Sequence, residues 1–142
     1  MQLNDIIREA EYADIVLSLL NDPYQINSVT KIIFFSFCIK HEDRFNIYRK
    51  RTKDFVDVFF QNISLKLAVD YRDIEKILFV LKMLVKAGKI SVTDDEIEII
   101  DKFNHSSEND FLKMCSSKVP NPIIEINKLD ATAVIEEVIR YV

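Results

Sequence analysis

One glycine, Gly88, occurs in 142 residues, and that scarcity restricts what the chain can fold into more than any other feature. Turns that need a left-handed residue are cheap only for glycine, so many tight hairpins in series are excluded. Gly88 stands inside "MLVKAGKISVTDDEIEII", residues 83–100, where a helical pattern gives way to two short alternating segments. Glycine is favoured just past the last turn of a helix. Beyond it Ile90 and Val92 alternate with Lys89, Ser91 and Thr93, and Ile97 and Ile99 alternate with Glu96 and Glu98, around a turn at Asp94-Asp95. The stretch predicts helix, cap, strand, turn and strand.

The rest of the chain has helical periodicity. From Asp5 to Leu20 the apolar residues Ile6, Ile7, Ala10, Ala13, Val16, Leu17 and Leu20 recur at three- and four-residue spacing, with Asn4 as the expected cap. "NDPYQIN" breaks that helix, and "SVTKIIFFSFCIKHE" starts a second element near Asn27 or Ser28. This element is apolar almost all round, which implies burial on more than one side. A buried strand competes over residues 32–39, because Ile, Phe and Val are strand formers. The spacing of Val29, Ile32, Ile33 and Phe37 outruns a usual strand, so we read a central helix.

A further helix is expected from Thr52 through Val69, with Phe55, Val58, Phe59, Ile63 and Leu67 as its stripe, and a turn at Asp70 or Tyr71. The helix Arg72 to Ala87 presents Ile74, Ile77, Leu78, Leu81, Leu84 and Val85 on one face and Phe79, Val80 and Met83 on another. Two apolar faces predict two neighbours, and Phe79, Val80 and Met83 are the expected protein interface. After the hairpin a short helix capped at Ser106 or Ser107 should end by Ser116, and Pro120 and Pro122 should interrupt regular structure. The last segment predicts a helix capped by Asp130, with Ala133, Val134, Val138, Ile139 and Val142 near one face. Its expected cover is the chain's own core, with Tyr141 the residue reaching a partner.

These elements predict a mostly α fold with minor β, α+β only in its hairpin. A single domain over 1–142 would hold a winged-helix-like helix-glycine-hairpin at 72–100, a core over 28–100 and a C-terminal helical extension over 101–142. At 49% hydrophobic and 30% charged, such a chain can bury a core without staples. The two cysteines, Cys38 and Cys115, cannot form a disulfide framework. The N-terminal residues lack the pattern of a signal peptide, and the apolar run Ile32 to Ile39 is far below the roughly eighteen residues of a membrane span. The expected location is the cytoplasm.

The net charge of −4 is unevenly spread, with residues 40–53 carrying six basic and two acidic side chains. Arg44, Arg49, Lys50, Arg51 and Lys53, interleaved with Phe45 and Tyr48, are the nucleic-acid or acidic-partner contact expected from sequence, the plainer account being a solvated loop. The acidic hairpin, with Asp94, Asp95, Glu96 and Glu98, would repel phosphates. No catalytic set stands out. Cys38 and His41 are three apart, but Cys38 lies in the most apolar run, where a thiol is inert packing. His41, His105 and the cysteines lack paired zinc-ligand spacing. The pairs Glu42-Asp43, Asp94-Asp95 and Glu136-Glu137 read as solvated surface, and one glycine leaves no phosphate-cradling loop. We therefore expect no enzyme activity, no cofactor, no metal and no small-molecule substrate.

The amphipathic start, the "NDPYQINSVTKIIFFSF" turn into a buried helix, and "ILFVLKMLVKAGKISVTDDEIEII" together resemble, over residues 10–100, the small middle components of bacterial ABC-three-component systems. The small third subunit of Lamassu-type defence systems is similar. That resemblance implies an accessory or adaptor subunit bound to an SMC- or Rad50-like ATPase, beside a separate effector such as a nuclease, in defence against phage or plasmids. No residue with a defined chemical role is carried over by it. The alternative reading of the residues is a small winged-helix transcriptional regulator that binds DNA.

Overall fold

A computed structural model describes residues 2–41, 59–60 and 63–141. Helix α1 runs Leu3–Leu20, α2 Val29–Lys40, α3 Ile63–Asp70 and α4 Asp73–Lys86. The hairpin β1 Ile90–Thr93 and β2 Glu96–Ile99 follows, then α5 Asp110–Ser116, α6 Pro122–Ile126 and α7 Ala131–Tyr141. The fold is mostly helical with one small antiparallel hairpin.

Helix α1 begins earlier than its sequence suggests. Gln2 holds the cap position without a side-chain bond, its carbonyl accepting from the N–H groups of Asp5 and Ile6, so Asn4 lies inside the first turn. The buried face is Tyr12, Ile15, Val16, Leu19 and Leu20. Ile6 and Ile7 stay half exposed, because the first turns meet α4 through polar side chains, Asp5 to Lys76 and Arg8 to Asp73.

The competition between strand and helix at residues 32–39 resolves as helix. Ser28 caps α2, accepting from Lys31 N–H, and Ile32, Phe35, Ser36, Phe37, Cys38 and Ile39 are all buried. The helix packs on α1, α4 and α7, which is why its apolar residues leave no polar face. Phe35 meets Phe59 edge-on, ring centroids 6.0 Å apart, and Phe59 stacks on Phe111 at 6.3 Å. Of the helix expected from Thr52, the part at 52–58 lies outside the described residues; Phe59 and Phe60 are helical and buried, and α3 supplies the rest.

Gly88 has φ +73° and ends α4 as expected, Lys89 N–H bonding back to Leu84 O. The strands pair Thr93 with Glu96, Ser91 with Glu98 and Ile90 with Ile99. Ile90 and Ile97 enter the core, while Val92 and Ile99 remain half exposed. The anchor of this ribbon is the entry to α2. Val29 N–H bonds Asp95 O and Ile97 N–H bonds Asn27 O, each at 2.8 Å.

Asp95 does more than turn the chain. Its carboxylate accepts from Thr30 N–H at 2.8 Å, from the Thr30 hydroxyl at 2.7 Å and from the Ser28 hydroxyl, so it caps α2 from 65 residues away. Burial raises its pKa, and the hydrogen bonds from Ser28 and Thr30 more than reverse this, leaving it below the ordinary carboxylate value. Replacing Asp95 by alanine should therefore cost about 0.5–2 kcal/mol, the range for a lost helix cap. Urea denaturation reads that loss, and an unchanged midpoint would show the ribbon is held without it.

The C-terminal third departs from expectation in two places. Helix α5 is capped by Asn109, whose side chain accepts from Leu112 N–H, instead of by Ser106 or Ser107. Pro122 opens α6 instead of interrupting structure, since Pro at the first helical position lacks only an N–H that would have no partner there. Asp130 caps α7 as expected, accepting from Ala133 N–H at 2.7 Å. Val134 and Val138 are buried, whereas Ile139 is exposed. Buried side chains from Tyr12 to Val138 form one cluster, so residues of the expected extension share the core of the rest.

Candidate functional site

Two arrangements stand out, one buried and one exposed. The buried one centres on Asp73, the first residue of α4 and only 2% exposed. Its Oδ2 accepts from the Tyr12 hydroxyl at 2.7 Å and from His41 Nε2 at 3.1 Å, and its Oδ1 accepts from Arg8 Nη1 at 3.0 Å. Arg8 also reaches Asp70 Oδ1 at 3.2 Å. A carboxylate can only accept, so the His41 proton on this side belongs to Nε2. One residue of α4 thus ties the middle of α1 to the residue that ends α2.

Electrostatics sort these groups by solvation and contact. Burial pushes the Asp73 pKa up, and the hydrogen bonds from Tyr12 and Arg8, the charge of Arg8 and the bond from His41 outweigh it, so Asp73 lies below the usual carboxylate value. Burial lowers the pKa of His41, and its bond to Asp73 and the nearby Asp70 only partly oppose that shift. Burial also drives the Tyr12 hydroxyl far up, reinforced by Asp73. The result is a neutral imidazole, a neutral phenol and one ionised carboxylate, all hydrogen-bonded. The imidazole lies between two carboxylates, with Asp70 Oδ2 3.9 Å from Nδ1, and the Tyr12 hydroxyl stands 3.4 Å from Nε2. The arrangement is a clamp.

Cys38 is buried in the core, and the His41 ring lies against Phe37, centroids 4.5 Å apart. His105 bonds Asp14, which also accepts from the Ser107 hydroxyl and Glu108 N–H, tying the loop before α5 to α1. Among the described residues, no group of three or more His, Cys, Asp or Glu is placed to hold a metal ion, and no helix is long and apolar enough to cross a membrane.

The exposed arrangement is the outer face of α4. Asp73, Ile77, Val80 and Leu81 are buried, so Val80 belongs to the core and not to the interface expected from sequence. Its spacing from Ile77 and Leu84, three and four residues, puts it on the inner stripe. Phe79 and Met83, each 47% exposed, lie one turn apart on the outside, with Leu78 and Val85 also exposed. Lys82 and Lys86 stand among them and make no ion pair among the described residues. The apolar residues expected to form one inner face thus divide: Leu78 and Val85 look outward, because only one side of α4 meets α1 and α2.

Of the remaining expected contacts, Arg44, Tyr48, Arg49, Lys50, Arg51 and Lys53 lie outside the described residues. Tyr141 is the last residue of α7, and its side chain lies outside the described residues too. The Asp73 clamp was missed by sequence reasoning. Arg8 and Tyr12 are four apart and so share one face of α1, which is the only local sign of it. Comparison with family models, with curated proteins and with solved structures finds no match in any of the three.

Proposed function

We propose that this chain is a non-enzymatic accessory subunit that docks on a larger protein through the outer face of α4, the partner being an SMC- or Rad50-like ATPase of a bacterial anti-phage or anti-plasmid complex. The observation that carries the docking reading is the grouping of Leu78, Phe79, Met83 and Val85, all exposed, on successive turns of one helix. Exposed apolar groups of this kind mark interaction sites, and Phe and Met are enriched at interface centres. Lys82 and Lys86, between the Leu78–Val85 and Phe79–Met83 pairs, would meet acidic groups on the partner. The identity of the ATPase rests on the sequence resemblance alone.

Co-expression with the genes neighbouring its own tests it. The double change Phe79→Ser and Met83→Ser should remove co-elution, while shifting stability by less than about 1 kcal/mol because both side chains are already half in water. Co-elution that survives the double change would defeat the α4 reading. The alternative, a DNA-binding regulator, is favoured only by the basic charge of residues 40–53. It requires duplex binding that weakens steeply with salt, and a titration without binding at low salt removes it.

A further inference from the structure

Strand β2 has one edge paired and the other only half used. Ile100 N–H bonds Lys89 O at 2.8 Å, which fixes the parity of the ladder: Glu96, Glu98 and Ile100 turn their backbone groups toward β1, and Ile97 and Ile99 turn theirs away. On the outer edge Asn27 takes the Ile97 N–H, and a bridge joins Ser28 to Glu96. There the pairing stops. The chain before Asn27 turns off through Gln25, at φ +47°. The Ile97 carbonyl and both backbone groups of Ile99 are left with no backbone partner among the described residues. They border a groove of about 560 Å³ between residues 21–27 and 102–106, with Leu20, Ile26 and Phe103 among its walls.

From this edge we infer that β2 accepts an extended segment of another protein by strand addition, a segment in which basic residues alternate with apolar ones. Side chains alternate between the faces of a strand. Glu96 and Glu98 therefore share one face of β2, both exposed, while Ile97 and Ile99 share the other and border the groove. With Asn27 and Ser28 already seated beside Ile97 and Glu96 on this edge, an added strand places one side chain opposite Glu98, with Glu96 on the diagonal, and the next beside Ile99. Neither glutamate makes an ion pair among the described residues, so a lysine or arginine opposite Glu98 gains a partner without displacing one. The same glutamates argue against a second copy of this chain, whose β2 would set Glu against Glu, and against nucleic acid. The inference does not rest on the α4 face.

A short peptide of alternating Lys and Val, titrated into the intact protein and followed by amide chemical shifts, tests it. Binding should move the resonances of Ile97, Ile99 and Asn27 and slow hydrogen exchange at Ile99. Glu98→Lys should weaken binding about tenfold, by exchanging an attractive cross-strand pair for a repulsive one. Ile99→Pro, which removes the outward N–H and none of the bonds to β1, should weaken it comparably. Because a proline could disturb the hairpin, a peptide N-methylated on its pairing edge makes the same test without altering the protein, and it should fail to bind. The peptide should still bind the Phe79→Ser, Met83→Ser variant. Absence of binding at millimolar peptide would overturn the inference. So would equal binding of a Glu-Val peptide, of a peptide with its lysines in one block, or of the N-methylated form.

Discussion

Replacing Asp73 by alanine is expected to lower the free energy of unfolding by about 3 kcal/mol, or about 10 °C in melting temperature. Removing one partner of a buried ion pair costs about 3–5 kcal/mol because the other is left uncompensated. The lower end applies because the Arg8 side chain keeps 38% of its surface in water and retains Asp70. The Tyr12 hydroxyl, completely buried, loses its acceptor at the same time. Asp73→Asn, which keeps the shape and one acceptor, should cost less. A loss below about 1 kcal/mol for alanine would mean the network is not what joins α1 to α4.

The same network sets the direction of the pH response. His41 is held below its unfolded value of 6.5, so its folded environment costs nothing above that pH and erodes stability as pH falls below it, where the unfolded chain binds the proton more readily. Asp73 is held below 3.8; its contribution is present above that value and is lost as pH falls through the lower folded one. Both effects run the same way, in separate windows. The melting temperature should decline from pH 7 toward 5, and His41→Gln, which keeps a donor toward Asp73 without a titrating ring, should flatten that part of the curve.

Deleting residues 134–142 should be more damaging still. Val134 is fully buried and Val138 is 6% exposed, on a helix that packs against α2 and α3. At about 1.5–3 kcal/mol for each buried side chain, the loss is about 3–6 kcal/mol, a large part of the stability of an ordinary domain. A truncated chain that melts where the intact one does would show that α7 is not core. The paired control is Ile135→Ser with Ile139→Ser, on the exposed side of the same helix, which should leave the melting temperature within a few degrees.

What could be read in advance was local. Gly88, the alternation on either side of Asp94-Asp95 and the long spacing in α2 each report the backbone conformation of their own neighbourhood, and each took the expected form. What could not be read depends on neighbours. Helix α4 has apolar residues nearly all round, and which of them are buried is decided by where α1 and α2 lie, so Val80 and Phe79 were grouped although one is core and the other surface. Asp73, in "YRDIEK", looks like any acid in a first helical turn, since its partners are 61, 65 and 32 residues away. Asp95 reads as a solvated turn residue for the same reason, and Pro122 reads as a breaker because its helix of five residues is too short to show periodicity. The basic cluster at 44–53 lies outside the described residues.

The Asp73 clamp also has a consequence for how the chain is made. Arg8 and Tyr12 leave the ribosome long before the carboxylate that satisfies them, and at about 5–20 residues per second the 65 residues between Arg8 and Asp73 take on the order of 3–13 seconds to follow. During that interval α1 has an apolar face, a cation and no α4 to cover either. The nascent chain must then wait for α4 before its first helix can be locked, so early chaperone contact should concentrate on residues 3–20 and end once residues beyond 73 have emerged.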